Sequence, residues 1–211
     1  MDVLLFTALI AAYIWIIEPW TGPGRPLYGP VILAGLGFAG ASLRRHGATW
    51  KRIGFRSDNL LPALLVYVLA SVTLAGAVLW WYREFVIWPE WGPRYLLRWM
   101  LYVAWGLVQQ FCLLSFLLTR LREITRRDLC AVLAATAIFA LLHLPNPFLA
   151  VYTVFGGLVS TALFLRWPNV FAAAIGHATA ACIVNFLIPL EVFGSMWVGP
   201  MYWAASGDIP L

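Results

Sequence analysis

Several stretches of about twenty residues carry few or no charges, and they constrain the fold of this chain more than any other feature. An α-helix needs roughly 20 apolar residues to cross about 30 Å of hydrocarbon. Of the 211 residues, 63% are hydrophobic and only 11% are charged, whereas a soluble domain is roughly half apolar and a quarter charged. The pattern predicts an all-α, polytopic membrane helix bundle that forms a single integral membrane domain over residues 1–211.

The apolar stretches predict about seven transmembrane helices, with an eighth left open. The first stretch lacks a basic leading region and a small-residue cleavage site, so we interpret it as a retained helix and not as a signal peptide. A weaker apolar segment at 192–205 is interrupted by glycine and proline, which favours an interfacial or re-entrant piece over an eighth span. The seven predicted spans are 3–20, 27–43, 60–81, 96–119, 129–146, 148–166 and 168–188.

The distribution of basic residues predicts how the chain crosses the membrane. Five of the fourteen Lys and Arg residues lie between the second and third predicted spans, four follow the fourth span, and one ends the sixth. Seven spans place these ten on one side, and cytoplasmic loops are enriched in Lys and Arg. We therefore expect an integral protein of a bacterial inner membrane with a cytoplasmic N-terminus. The segment 21–26 is then a tight turn on the outer side.

The same distribution argues against nucleic acid as a partner, despite a net charge of +5. The basic residues lie in short loops between spans, where topology and contact with membrane lipids explain them better. The cysteines, Cys112, Cys130 and Cys182, lie inside or at the edge of apolar stretches without a CxxC spacing. This is typical of small buried hydrophobic residues. They give no indication of a redox or zinc site.

Polar side chains lie within three of the predicted helices. Gln109 and Gln110 are adjacent in the apolar stretch 105–120, His143 is near the end of the fifth predicted span, and His177 is in the last. Polar groups are expensive in hydrocarbon and tend to face a protein interior or a water-filled cavity. We therefore expect these four side chains to form one shared polar site, which we treat as the candidate catalytic set.

Helical spacing adds neighbours to this site. Phe139 lies at i−4 and Asn146 at i+3 from His143, while Asn185 lies two turns after His177. They are candidate substrate-binding residues, although an amide in a membrane helix can also simply join two helices by a hydrogen bond.

The two adjacent amides have restricted chemistry. Gln109 and Gln110 point about 100° apart on a helix, so at most one of them faces a narrow site directly. A neutral amide has no useful proton affinity near pH 7, but it can donate to an oxyanion or orient a water. Two carboxylates at the outer ends of predicted spans, Glu18 and Glu191, could reach an outward-opening cavity.

The order of these features resembles the CPBP family of intramembrane proteases, also called the CAAX-protease and bacteriocin-processing family, over about 49–188. The elbow Trp-Lys-Arg-Ile-Gly-Phe-Arg before the third span belongs to the match. The family's Phe-x-x-x-His motif is matched by Phe139 and His143, and its late histidine with a small residue one turn on is matched by His177 and Ala181. No single motif is specific, but all occur in order and at family-like spacing.

The resemblance implies an endopeptidase that cleaves a membrane-anchored or lipidated polypeptide by water attack. In the family, the first residue of a Glu-Glu pair activates the water, and the histidines position it or stabilise the oxyanion. By resemblance, His143 and His177 take those roles here. We expect no metal or other cofactor, because two histidines without an acidic residue beside them are too few ligands for a metal or haem site.

The sequence departs from the family pattern at the acid pair. Gln109 and Gln110 stand where the Glu-Glu pair belongs, and Leu114 stands where the motif's arginine belongs; Arg120 is six residues too late to replace it. Three interpretations remain open. In the first, the chain is a natural variant whose base is another group, such as one of the histidines. In the second, it is a silent pseudoprotease that binds without cutting and acts as a sorting or immunity factor. In the third, it is an engineered Glu-to-Gln form. The missing arginine argues for natural divergence.

Overall fold

The computed structural model describes residues 1–21, 28–193 and 196–206, and in these ranges the regular structure is helical throughout. Residues 22–26 of the predicted outer turn 21–26, and the glycine at 194, lie outside the described residues. Nine helices are labelled here in chain order: α1 (Asp2–Trp20), α2 (Tyr28–Arg45), α3 (Leu60–Trp81), α4 (Pro93–Thr125), α5 (Asp128–Leu141), α6 (Pro147–Arg166), α7 (Val170–Leu187), α8 (Leu190–Phe193) and α9 (Pro200–Ser206).

Five of these helices, namely α1, α3, α4, α6 and α7, are long and apolar enough to cross a membrane. The prediction of an all-α, polytopic helix bundle is therefore confirmed. The predicted spans 27–43 and 129–146 correspond to α2 and α5, which are not among these five helices. Helix α5 has only 14 residues, or about 21 Å, and α2 ends in the charged pair Arg44 and Arg45. The weaker apolar segment, for which an interfacial or re-entrant piece is favoured over an eighth span, contains the seven-residue helix α9, which is about 10 Å long.

The core lies around the second half of α4, where Phe111–Leu118 is wound as a π-helix. Leu113, Leu114 and Phe116 are completely buried there. By contrast, leucines at every fourth position of α3 are exposed, including Leu61, Leu65 and Leu69 at 68%, 64% and 69%. An apolar stripe at helical spacing that no other helix covers suits contact with lipid, where exposure of apolar surface carries no penalty.

Helix α7 is the most buried of the five long apolar helices and packs between α3 and α4. Small residues make this possible, because they allow helix backbones to approach closely. A Cβ atom added at Gly106 of α4 would lie 3.1 Å from the carbonyl oxygen of Ala174 on α7. One added at Gly176 of α7 would lie 3.0 Å from the carbonyl oxygen of Tyr67 on α3. The glycines thus set the depth at which α7 presents His177.

The basic elbow before α3 is part of the bundle and not a loose loop. Gly54 has a left-handed φ of +87°, and its carbonyl oxygen accepts from the backbone N–H of Val170 at 3.0 Å. The hydroxyl of Ser115 donates to the carbonyl oxygen of Ile53 at 2.6 Å. The elbow is therefore joined both to α4 and to the start of α7, and it fixes the helices that carry Gln110 and His177 relative to each other.

Candidate active site

The candidate site is a cavity of about 340 Å³ bordered by α1, α2, α4, α5, α6, α7 and the segment before α9. This volume is at the lower end of the range for small-molecule sites in proteins. We call it the histidine cavity, because His143 and His177 both line it. Gln109, Phe139 and Glu18 line it as well. Residues from six helices thus converge on one space.

His177 is held by Gln110. The Nε2 amide group of Gln110, which can only donate, lies 3.2 Å from Nδ1 of His177. Nδ1 therefore accepts, and the neutral imidazole carries its proton on Nε2. Gly106, one turn before Gln110, allows this contact: a Cβ atom there would lie 3.2 Å from Cδ2 of His177. Gln110 is only 1% exposed and acts from behind the ring.

His143 is held in the opposite tautomer. Its Nδ1 lies 2.6 Å from the carbonyl oxygen of Phe139, which can only accept, so Nδ1 carries the proton and Nε2 has a free lone pair. The Phe139 ring packs edge-on against the imidazole with centroids 4.7 Å apart. Across the described part of the chain, no hydrogen bond engages Nε2 of His143 or of His177. One ring presents an acceptor and the other a donor.

The two glutamines occupy different places. Gln109 lines the histidine cavity, whereas Gln110 contacts His177 from the α4 side. Their Oε1 atoms are both buried and have no hydrogen-bond partner within the described ranges. A buried carbonyl oxygen without a partner typically costs about 1–3 kcal/mol. Since Gln109 is the one of the two that lines the cavity, its unpaired oxygen suits a donor brought by water or substrate.

Two of the predicted substrate-binding residues have other positions. Asn146 is fully buried and caps α6: its Oδ1 accepts from the backbone N–H of Leu149 at 3.0 Å, and its Nδ2 donates to the carbonyl oxygen of Trp197 at 3.3 Å. Neither Asn146 nor Asn185, which is half-buried on α7, is among the residues that line the cavity. Phe139 does line it, next to His143.

Of the two outer-end carboxylates named from the sequence, Glu18 reaches the cavity. The carboxylate is only 6% exposed and lines the histidine cavity. Tyr13, Tyr102 and Tyr152 line the same space from α1, α4 and α6. A charged residue inside an apolar stretch of a membrane protein indicates a functional role. This feature of the sequence points to Glu18. That α1 packs against the site could be learned only from the fold.

The departures from the family motif have clear structural positions. Leu114, which stands in the arginine's place, is completely buried. Arg120 pairs with Glu123, and the nearby Arg52 also pairs with Glu123 at 3.1 Å. Arg120 is not among the residues that line the cavity, so it does not take over the motif arginine's role. Among the described residues, no group of three His, Cys, Asp or Glu side chains converges as a metal site.

A family model described as Type II CAAX prenyl endopeptidase Rce1-like matches residues 91–183. The matched segment runs from the start of α4 into α7 and contains both glutamines and both histidines of the site. The resemblance to the CAAX-protease family is confirmed. The family is one of intramembrane peptidases, and five helices of this chain are long and apolar enough to cross a membrane. No curated protein and no solved structure matches the chain.

Proposed function

We propose that this chain is an intramembrane endopeptidase that cleaves a membrane-anchored or lipidated polypeptide in the histidine cavity. One observation carries the proposal: His143 and His177 line the same cavity and are held in opposite tautomers. A hydrolytic site needs an acceptor that holds the attacking water and a donor that stabilises the oxyanion. This pair of rings supplies both.

The chemistry follows from the free ring nitrogens. Nε2 of His143 accepts a hydrogen bond from the attacking water, and Nε2–H of His177 donates to the carbonyl oxygen of the scissile bond as it gains charge. Gln109 provides a further amide donor in the cavity. Gln110 does not touch the reacting atoms; it keeps the donating proton of His177 on Nε2.

The walls of the cavity favour a substrate with an apolar part. Much of the lining is aliphatic or aromatic and comes from the helices before the family segment, including Phe6 and Leu9 of α1 and Ile32 and Leu36 of α2. A lipid chain or an apolar polypeptide segment fits such walls through the same burial of surface that drives other apolar ligands into pockets. With the apolar part of the substrate against these walls, its peptide bond lies beside Gln109, His143 and His177.

The charge distribution supports a cytoplasmic N-terminus. Arg45 lies 3.4 Å from Asp2, and Arg52 pairs with Glu123 at the far end of α4, so these basic segments belong to one end of the bundle. Cys130 is exposed near that same end, two residues into α5. We expect a membrane-impermeant maleimide to label Cys130 in inside-out vesicles and not in intact spheroplasts. Labelling in spheroplasts alone would reverse the topology.

The test is proteolysis in liposomes that contain the purified chain and lipidated, membrane-anchored peptides. We expect His143→Ala and His177→Ala each to abolish cleavage, while His46→Ala leaves it unchanged. His46 is a matched control because it is exposed and bonds locally to the carbonyl oxygen of Ser42. Cleavage that survives both cavity variants would refute the site assignment.

A silent binding protein of the same family is the second candidate, and the two site amides favour it. Gln109 and Gln110 stand where the family has carboxylates, and an amide cannot take a proton from water. This candidate predicts that the chain binds a lipidated peptide tightly without cutting it. It also predicts that Gln109→Glu or Gln110→Glu cuts where the chain itself does not, whereas cleavage by the unaltered chain would reject it.

A further inference from the structure

The proposed hydrolysis needs a group that takes the proton from the attacking water and later returns it to the leaving nitrogen. The amides have no proton affinity near pH 7, and the proton on Nε2 of His177 makes that nitrogen a donor. The groups that can take the proton are therefore Nε2 of His143, which already holds the water, and a carboxylate in the cavity. Glu18 is the only carboxylate that lines the histidine cavity among the described residues. It is also nearly inaccessible from outside, with 6% of its surface exposed.

Packing brings the Glu18 end of α1 beside the His143 end of α5. The carbonyl oxygen of Leu144, the residue after His143, accepts from the backbone N–H of Gly199 at 2.9 Å. Gly199 in turn lies against α1, because a Cβ atom there would be 2.8 Å from the carbonyl oxygen of Ile14. Glu18 follows Ile14 by about one helical turn, roughly 5 Å along the axis.

Among the described residues, no ion-pair partner explains the burial of Glu18. No lysine or arginine of the described segments forms an ion pair with it, and no lysine or arginine is among the residues that line the cavity. A buried charge is normally paired, and a carboxylate inside a membrane protein that is not paired is a functional candidate.

We propose that Glu18 is the general base of this site, in place of the family's acid pair; this rests on the proposed peptidase function. The water oxygen bonds to the scissile carbonyl carbon while one water proton passes to the Glu18 carboxylate and the carbonyl electron pair moves to oxygen. His177 Nε2–H stabilises that oxyanion. When the tetrahedral intermediate collapses, the C–N bond breaks, the proton on Glu18 passes to the leaving nitrogen, and Glu18 is again a carboxylate.

The proposal is tested by cleavage rates of Glu18→Gln and Glu18→Asp against the unaltered chain in the same liposomes. We expect Glu18→Gln to lose on the order of a hundredfold or more in rate, as for removal of a general base, and Glu18→Asp to keep part of it. Glu191→Gln is the matched control, because Glu191 is an exposed outer-end carboxylate that is not among the residues lining the cavity. We expect it to cut at the unaltered rate.

The outcomes separate the two levels of the proposal. If the unaltered chain cuts, the cavity histidines are required and Glu18→Gln cuts equally well, Glu18 is not the base while the peptidase function stands. If the unaltered chain does not cut, both proposals fall. Should Glu18→Gln not fold, the unaltered chain is treated with an apolar carbodiimide: modification of Glu18 with matching loss of cleavage supports the assignment, and full modification with cleavage intact overturns it.

Discussion

The contact at Gly176 gives the sharpest prediction about stability. The residue precedes His177 on α7, where a Cβ atom would lie 3.0 Å from the carbonyl oxygen and 3.1 Å from the Cβ atom of Tyr67 on α3. Ordinary contacts begin near 3.4 Å. The Ser71 hydroxyl, 2.9 Å away, can rotate aside, but the backbone of Tyr67 cannot. Gly176→Ala therefore requires α3 and α7 to separate by a few tenths of an ångström.

The expected magnitude combines two opposing terms. Overpacking of a well-packed interface costs about 1–3 kcal/mol, while alanine in place of glycine in a helix stabilises by up to about 1 kcal/mol. With the full alanine gain, the net loss in the free energy of unfolding is about 0–2 kcal/mol and centres near 1 kcal/mol, which is a factor of roughly 5 in the unfolding equilibrium.

The assay is unfolding in mixed detergent micelles by titration with a denaturing detergent. Gly76→Ala on α3 is the matched control, because a Cβ atom there has nothing within 4 Å and only the helix-propensity gain applies. We expect the control to equal or exceed the unaltered chain in stability. If Gly176→Ala and Gly76→Ala shift the unfolding midpoint alike, the close approach of α3 and α7 is refuted.

Three further predictions concern particular hydrogen bonds and charges. Asn146→Ala should lower the thermal midpoint through loss of about 1–2 kcal/mol of capping, and Asn146→Ser should keep part of it, since the hydroxyl oxygen can still accept from the Leu149 N–H; equal midpoints for both variants would contradict the cap. Gln110→Leu should cost about 1 kcal/mol of stability and reduce cleavage about fivefold or more, measured on the same preparation, and unchanged cleavage would contradict the role of the amide. The hydrogen bonds from Arg56 and Lys51 hold the pKa of Asp58 well below its usual range, so this carboxylate stabilises the fold above about pH 4 and the contribution is lost as the pH falls. The midpoint difference between the unaltered chain and Asp58→Asn should accordingly shrink between pH 6 and pH 3, and a constant difference would contradict the ion pairs.

The long helices could be read from the sequence because hydrocarbon thickness fixes their length. The predicted span 60–81 coincides with α3, and the predicted 148–166 differs from α6 by one residue at its start. The prediction for α4 ended at 119, but the helix continues to Thr125. The added turns carry Arg122 and Glu123, so a criterion based on apolar residues ends the span before these charges although the helix continues.

The short-range polar roles were harder to predict. Asn146 was expected to bind substrate on the basis of its spacing from His143, yet its amide caps α6. Asn169 is a second such cap, with its side chain accepting from the backbone N–H of Ala172 at 3.0 Å. Asparagine directly before a helix is a capping signal. In a membrane protein, an asparagine near an apolar stretch also suggests a polar binding site. Spacing alone does not distinguish a helix cap from a binding residue.

The sequence did not predict that α1 lines the site. Gln109, His143 and His177 lie in the segment that matches the family, whereas Glu18 lies ninety-one residues before Gln109. Glu18 reaches the cavity because α1 packs against α2 and against Gly199. Neither periodicity nor spacing encodes which face of a lipid-facing helix meets a distant cavity. The sequence alone also gives no sign that Gly199 contacts Ile14 of α1.

The most direct test of the central claim is hydrolysis of a lipidated, membrane-anchored peptide in water enriched in heavy oxygen, followed by mass spectrometry of the products. Water attack predicts two fragments, with one heavy oxygen in the new carboxyl group and none elsewhere, and no fragments from the His143→Ala or His177→Ala proteins. A peptide that binds the unaltered chain but stays intact would contradict the account and identify a silent binding protein.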